Sequence, residues 1–243
     1  MQNTQFKLTH FEVSSSSVDR NGVDLAKILG FDLSDSDLIK LAGAPTNSRV
    51  KLVEKMDWSE DEVDDGENVP PGILLQVRND EYFEQDLEVV LFLDGRIDVV
   101  SLYIKLVMFR DISERKGIAG HMIGVMVDGA VSLPRAKRIR LWAAGGVLWK
   151  DYRQGKRWWG YVAWPKYGFD CFIPNVTMDL IPRFPHYPAG LSGCKKVSDV
   201  IRLDGGKNFW MLAGEGDYMD FDLSANSVSR ALLNDFLSVG GGI

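Results

Sequence analysis

Three apolar runs follow one another in the first half of the chain: "GILLQVRND" from Gly72, "DLEVVLFLDG" from Asp86 and "RIDVVSLYIKLVMF" from Arg96. Each is short, rich in β-branched and aromatic residues and bounded by turn residues, which reads as a strand rather than a helix. "LDGR" (Leu93 to Arg96) reads as a hairpin turn, so the last two runs are expected to be antiparallel neighbours. The third run does not turn into another strand. It enters "RDISERKGIAGHMI" (Arg110 to Ile123), a polar loop with small residues that leads into a helix. A sheet built of meandering strands must therefore be interrupted here by a crossover.

The flanking sequence supplies the layers. "FKLTHFEV" (Phe6 to Val13) alternates as a first strand, and "SSSSVDRNG" behind it reads as a polar turn. "VDLAKILG" and "SDSDLIKLAG" have apolar residues three and four apart and stop at Gly30 and Gly43, the signature of two short helices. "SRVKLVEKMDW" alternates with period two, as a strand does. After the loop come a helix from Gly117 to about Val131 and a strand "RIRLWAAGG". "KRWWGYVAWPKYGFDCFI" then ends in a strand-like run, and "NVTMDLIPRFPHYPAGLSG" reads as proline-rich irregular chain. "VSDVIRL" suits a helix, and "YMDFDLSANSVSRALLNDFL" a strand and capping helix that close the sheet.

Composition narrows the function classes. With 45% hydrophobic residues in 243, the chain is long enough for a substantial core, and no linker or repeat forces a boundary. A net charge of −6 argues against a nucleic-acid partner or a polybasic membrane binder. Seven of the eleven residues from Asp57 to Glu67 are acidic, which reads as a solvated loop. Two cysteines without a CxxC pair and three scattered histidines do not make a zinc site. The start lacks a basic, then apolar, leader, and no apolar run is long enough to cross a bilayer. A cytoplasmic protein with no membrane association and reduced thiols is expected.

A strand that runs into a glycine-containing loop and then a helix start is a place to hold an anion, because unsatisfied N–H groups and the helix dipole point outward there. Gly117, Ala119 and Gly120 would let an anion reach the backbone, and Arg115 and Lys116 add full charges. The loop has neither the GK[ST] ending of a Walker loop nor a GxGxxG. Read alone, the same small residues serve equally well to pack a helix closely on a sheet.

In context, the strand "SLYIKLVMFRD", the loop "SERKGIAG", the helix "HMIGVMV", the strand "RIRLWAAG" and the segment "WPKYGFD" together resemble the GNAT superfamily of N-acyltransferases. The resemblance implies an α/β fold with a mixed, mostly antiparallel, splayed sheet flanked by helices. It spans residues 1–175, with 176–243 as a C-terminal extension on the same domain. It further implies acetyl-CoA or another acyl-CoA as co-substrate, an amine on a small molecule or protein as acceptor, and pyrophosphate binding at Arg115, Lys116, Gly117, Ala119 and Gly120. Main-chain groups near Val107 to Phe109 would hold the thioester and pantetheine. Glu114 stands where the family's signature has Gln or Arg, with Arg115 as the stand-in. Trp164 stands where a tyrosine commonly protonates the leaving thiolate, so Tyr161 and Tyr167 become the candidate acids. Asp111, Glu114 and His121 are the candidate bases.

Five of the seven tryptophans lie between Trp142 and Trp164. They suit either an aromatic core or the wall of an acceptor pocket, with Arg153, Lys156 and Arg157 able to hold an anionic acceptor. Two rival functions stay open: a non-catalytic GNAT-like protein acting as a macromolecular binding or regulatory module, and a transferase acting on a nucleic acid or a charged RNA through "KDYRQGKRWW".

Overall fold

The computed structural model describes residues 10–56, 59–60, 68–95, 99–110, 117–146, 158–183 and 187–238. Seven strands form one sheet in the order β1-β2-β5-β6-β7-β8-β9. They are β1 (Ser17–Asp19), β2 (Arg49–Lys55), β5 (Gly72–Arg78), β6 (Leu87–Asp94), β7 (Val99–Leu106), β8 (Ala136–Trp142) and β9 (Tyr218–Asp222). Two short strands, β3 (Ser59–Glu60) and β4 (Asn68–Val69), pair separately. All pairs in the large sheet are antiparallel except β1 with β2 and β7 with β8. Eight helices are present among the described residues: α1 (Leu25–Leu29), α2 (Asp35–Leu41), α3 (Ile118–Ala130), α4 (Gly160–Lys166), α5 (Asn175–Leu180), α6 (Val197–Arg202), α7 (Gly206–Ala213) and α8 (Val228–Ser238). This is the mixed, mostly antiparallel α/β sheet flanked by helices that the sequence implies, and its order of elements is consistent with a GNAT-like arrangement.

Period-two alternation sorts the sheet's side chains onto two faces. Leu52, Leu75, Val89, Leu91, Leu102, Ile104, Ile139, Leu141 and Phe221 join the main core with apolar residues of the helices, among them Leu38, Leu41, Met122 and Met126. Val90, Phe92 and Tyr103 face the other way into a smaller cluster with Val69, flanked by Leu74 and Tyr218. That second face also carries charge. Asp220 accepts two bonds from Arg140, at 2.7 and 2.8 Å, and one from Arg138 at 3.1 Å, while Arg138 also pairs with Asp94. The bond to Asp220, outweighing burial, raises the pKa of Arg140 above its ordinary value.

The two early helices end as their glycines dictate, with Gly30 left-handed at φ 82° and Gly43 at φ 60°. Asp24 caps α1, and a reciprocal Ser34–Asp37 capping box starts α2. Four expectations fail in part. Of the first strand expected at Phe6 to Val13, residues 6–9 lie outside the described residues, and the described part, 10–13, forms no strand, with Val13–Ser15 a single 3-10 turn. There the Ser15 hydroxyl donates to Glu12 O and Thr46 Oγ1 accepts from Glu12 N–H, drawing the backbone from a strand ladder. β1 forms instead inside the serine-rich stretch, held by Ser17 N–H to Ser48 O and parallel pairing with β2. The strand-like run after the aromatic segment makes only isolated bridges, Asp170 with Asp220 and Phe172 with Lys196. The proline-rich stretch contains α5, which starts directly after Pro174, and "KNFWMLAG" forms α7. Most of the acidic stretch and residue 96 of the "LDGR" turn lie outside the described residues, while Gly95 is left-handed at φ 72°.

Candidate functional site

The site begins where β7 leaves β8. Their parallel pairing ends at Ile104 with Leu141. On its other side β7 stays with β6 as far as Leu106 opposite Glu88, and between Ile104 and Leu106 the strand holds one extra residue, Lys105. A bulge bends the strand that carries it. Beyond it the chain is strapped to the loop before β6: Glu84 N–H donates to Met108 O at 2.8 Å, Arg110 N–H to Tyr82 O at 3.0 Å and Arg110 Nε to Phe83 O at 3.1 Å. Meanwhile β8 continues with β9 through Trp142 opposite Tyr218, and Ala143 N–H donates to Asp217 O. Past Ile104 and Leu141, then, each strand keeps its other neighbour, and no β7–β8 pair continues among the described residues.

Backbone direction alternates along a strand. Because Met108 and Arg110 turn their main chain toward Glu84 and Tyr82, alternation turns that of Val107 and Phe109 away from this loop, to the side where the β7–β8 pairs have ended. The Phe109 ring packs on Phe83 with centroids 5.5 Å apart, which holds this direction.

Asp111, Glu114, Arg115 and Lys116 lie outside the described residues, as do Arg153, Lys156 and Arg157. The helix they precede starts at Gly117, left-handed with φ 68° and ψ 21°. The first intrahelical bond runs from His121 N–H to Gly117 O at 3.4 Å, so the N–H groups of Ile118, Ala119 and Gly120 precede the ladder. His121 is buried, and its Nδ1 lies 3.2 Å from Gly117 O, so it braces the same turn from inside. Gly120 has a packing duty as well: a Cβ there would run into the ring of Phe236, on α8.

The two tyrosines differ. Tyr161 is fully buried, and its hydroxyl donates to Met211 O at 2.9 Å, so its proton is engaged by the end of α7. Tyr167 is half-buried and meets Trp164 and Phe236 edge-on, with centroids 6.1 and 4.9 Å away. Trp164 packs on Phe169 at 5.4 Å, an aromatic core role. Trp159 is the partial exception in the cluster, 45% exposed and stacked on Tyr161. Burial raises the thiol pKa of Cys171, with help from Asp217, Asp170 and Asp220, which leaves it a poor nucleophile.

Phe236 is the residue sequence reasoning passed over. Its spacing with Leu233 and Leu237 marks an apolar helix face, but nothing local names the glycine it meets 116 positions earlier. Comparison with family models, with curated proteins and with solved structures returns no match.

Proposed function

We propose that this chain is an N-acyltransferase that moves an acyl group, acetyl in the simplest case, from acyl-CoA to an amine. The observation that carries the reading is the end of the β7–β8 pairing. β7, bulged at Lys105, pairs with β8 no further than Ile104, so the main chain of Val107 and Phe109 would face a gap beyond it, and the next described element is a 13-residue helix entered through left-handed Gly117. A thioester in the gap would be polarised by strand N–H groups, and its pyrophosphate would lie at the start of α3. The amine nitrogen bonds to the thioester carbon and loses a proton to a base or water, the C–S bond breaks, and the thiolate takes a proton from a tyrosine. Tyr161 is fully buried and its hydroxyl is held by Met211, whereas Tyr167 is half-buried, within reach of a ligand at the surface, and is taken as the acid.

A second reading, a binding module without turnover, is favoured by the same Tyr161 bond and by Trp164 packed in the tyrosine position. Two measurements separate them. Calorimetric titration with acetyl-CoA should give saturable binding, and thiol release with a panel of amines should reveal turnover. Binding without release supports the module. No binding of acetyl- or longer acyl-CoA overturns the acyltransferase reading, and partner-independent acetylation of an amine overturns the module. The loop is probed by Gly117→Glu against Gly117→Ala. Both pay a left-handed penalty of about 1–2 kcal/mol, so melting temperature falls in both, and only the added charge should weaken acetyl-CoA binding further.

A further inference from the structure

Among the described residues, α8 touches both halves of the candidate site. Near its start, the Ser229 carbonyl occupies the place a Cβ on Gly168 would take, and Gly168 has φ 95°, a conformation that suits glycine. Near its end, the Phe236 ring fills the corresponding place on Gly120, and Leu237 lies 3.2 Å from that on Gly124. The seven-residue step from Ser229 to Phe236 covers about 10 Å of helix, so one rigid element grips the chain beside Tyr167 and the first turn of α3 together. Tyr167 adjoins Gly168, and its ring meets that of Phe236 at 88° with centroids 4.9 Å apart. Asp222 N–H donates to Ser229 Oγ at 3.1 Å, which fixes the start of α8 to the end of β9.

Gly120 therefore acts as a socket. Its missing side chain admits an aromatic ring from the far end of the sequence, and that ring is the link between Tyr167 and the helix start where an acyl-CoA pyrophosphate would lie. We propose that Phe236 is a positioning residue for acyl transfer: seated on Gly120, it holds Tyr167 in register with the first turn of α3, so that the Tyr167 proton reaches the coenzyme A thiolate as the C–S bond breaks. The inference rests on the acyltransferase reading. It makes the C-terminal helix a working part of the site rather than a cover for the core.

The test uses the full chain with acetyl-CoA as probe, reading the dissociation constant by calorimetry and thiol release against pH with water or an added amine as acceptor. Phe236→Ala should bind acetyl-CoA within about twofold of the parent yet release thiol roughly 10- to 100-fold more slowly, the loss expected from an ångström of misplacement. Its pH–rate profile should lose the limb that reports a tyrosine. Phe236→Tyr, which keeps the ring, should restore both, whereas Phe236→Leu, which fills the socket without a ring edge, should not. Gly120→Ala should expel the ring and, at saturating acetyl-CoA, slow thiol release as Phe236→Ala does, whatever it does to binding, and adding Gly120→Ala to Phe236→Ala should slow release at saturation little further. Parent-like rate and pH profile in Phe236→Ala, or equal recovery by Leu and Tyr, overturns the proposal while the acyltransferase reading stands. A parent that binds acetyl-CoA but releases no thiol overturns it and leaves only the binding module. A parent that binds no acetyl-CoA overturns it together with the reading it rests on.

Discussion

The Tyr161 hydroxyl donates to the carbonyl of Met211 at 2.9 Å, and the Tyr161 carbonyl accepts the indole N–H of Trp210 at 2.7 Å. Two adjacent residues of α7 thus hold the first turn of α4 by both its side chain and its backbone. Tyr161 and Trp210 are buried, so the indole bond is dry, whereas Met211 is 40% exposed and the hydroxyl bond is only partly buried.

Tyr161→Phe removes the donor and leaves the Met211 carbonyl unsatisfied. The expected loss is about 0.5–1.5 kcal/mol, the net worth of an ordinary hydrogen bond beside solvent, read as a lower urea midpoint at an unchanged m-value. Loss of thiol release beyond what this destabilisation explains would restore Tyr161 as a candidate acid.

What the sequence made legible is what local chemistry decides. Asp24 and Ser34 announce the starts of α1 and α2 through their capping side chains, and Gly30 the end of α1 through its left-handed backbone. β2 and β5 bury alternate residues because one face is covered more fully, while the runs of β6 and β7 are apolar nearly throughout because both faces are buried, and both patterns are visible in the letters. β1 is invisible for the opposite reason: three residues with one intermediate side chain form a strand only because Ser48 and β2 lie beside them. α7 is hidden because Phe209 and Trp210 are weak helix formers whose burial, not propensity, fixes the helix. At the site, the loop's strand-to-helix setting could be read, and so could the small residues. That Gly120 houses Phe236 could not, since a glycine gives no sign of which neighbour needs its missing Cβ.

Alkaline pH should loosen the strap that holds Val107 to Arg110. Tyr82 carries that strap through its carbonyl, and its hydroxyl lies 2.7 Å from His10 Nδ1. Burial, with the nearby charge of Glu81, pushes the phenol up from 10.0 to about 12. A raised folded pKa means stability fully present below the unfolded value and lost as pH rises through the folded one. Unfolding free energy should therefore fall between about pH 10 and 12, and Tyr82→Phe should flatten that slope. An identical slope in the variant would assign the alkaline limb to other groups.

Asp220 neutralises two guanidiniums on the second face of the sheet, and Asp220→Asn keeps its shape while removing its charge. The side chains are about a third exposed, 36% for Asp220 and 33% for Arg140, so solvent screens the loss. An expected cost of about 1–2 kcal/mol follows, between an exposed pair and a buried one. Arg140→Lys should also lose stability, because an ammonium cannot make the bidentate contact. A double-mutant cycle over Arg140 and Asp220 should return a coupling of about 1 kcal/mol or more, and near-zero coupling would mean that the pair is ornamental.

At the acid end the group to watch is Asp199. Its Oδ2 accepts from Lys195 N–H at 3.1 Å and Lys196 N–H at 3.0 Å, and these bonds hold its pKa below the ordinary 3.8. They also fix the start of α6, and with it the bridge from Lys196 to Phe172 and the bond from Ile173 N–H to Lys195 O. A depressed folded pKa contributes stability that is present above the unfolded value and is lost as pH falls through the folded one. Melting temperature should then drop on acidification below about pH 4, and Asp199→Asn should already be destabilised at neutral pH yet show a shallower acid limb. Because the bridge ties this cap to the strand end beside Asp170, protection of the Ile173 amide from hydrogen exchange should fall in the same variant. Full protection there, with the acid limb unchanged, would show that Asp199 caps α6 without supporting the strand.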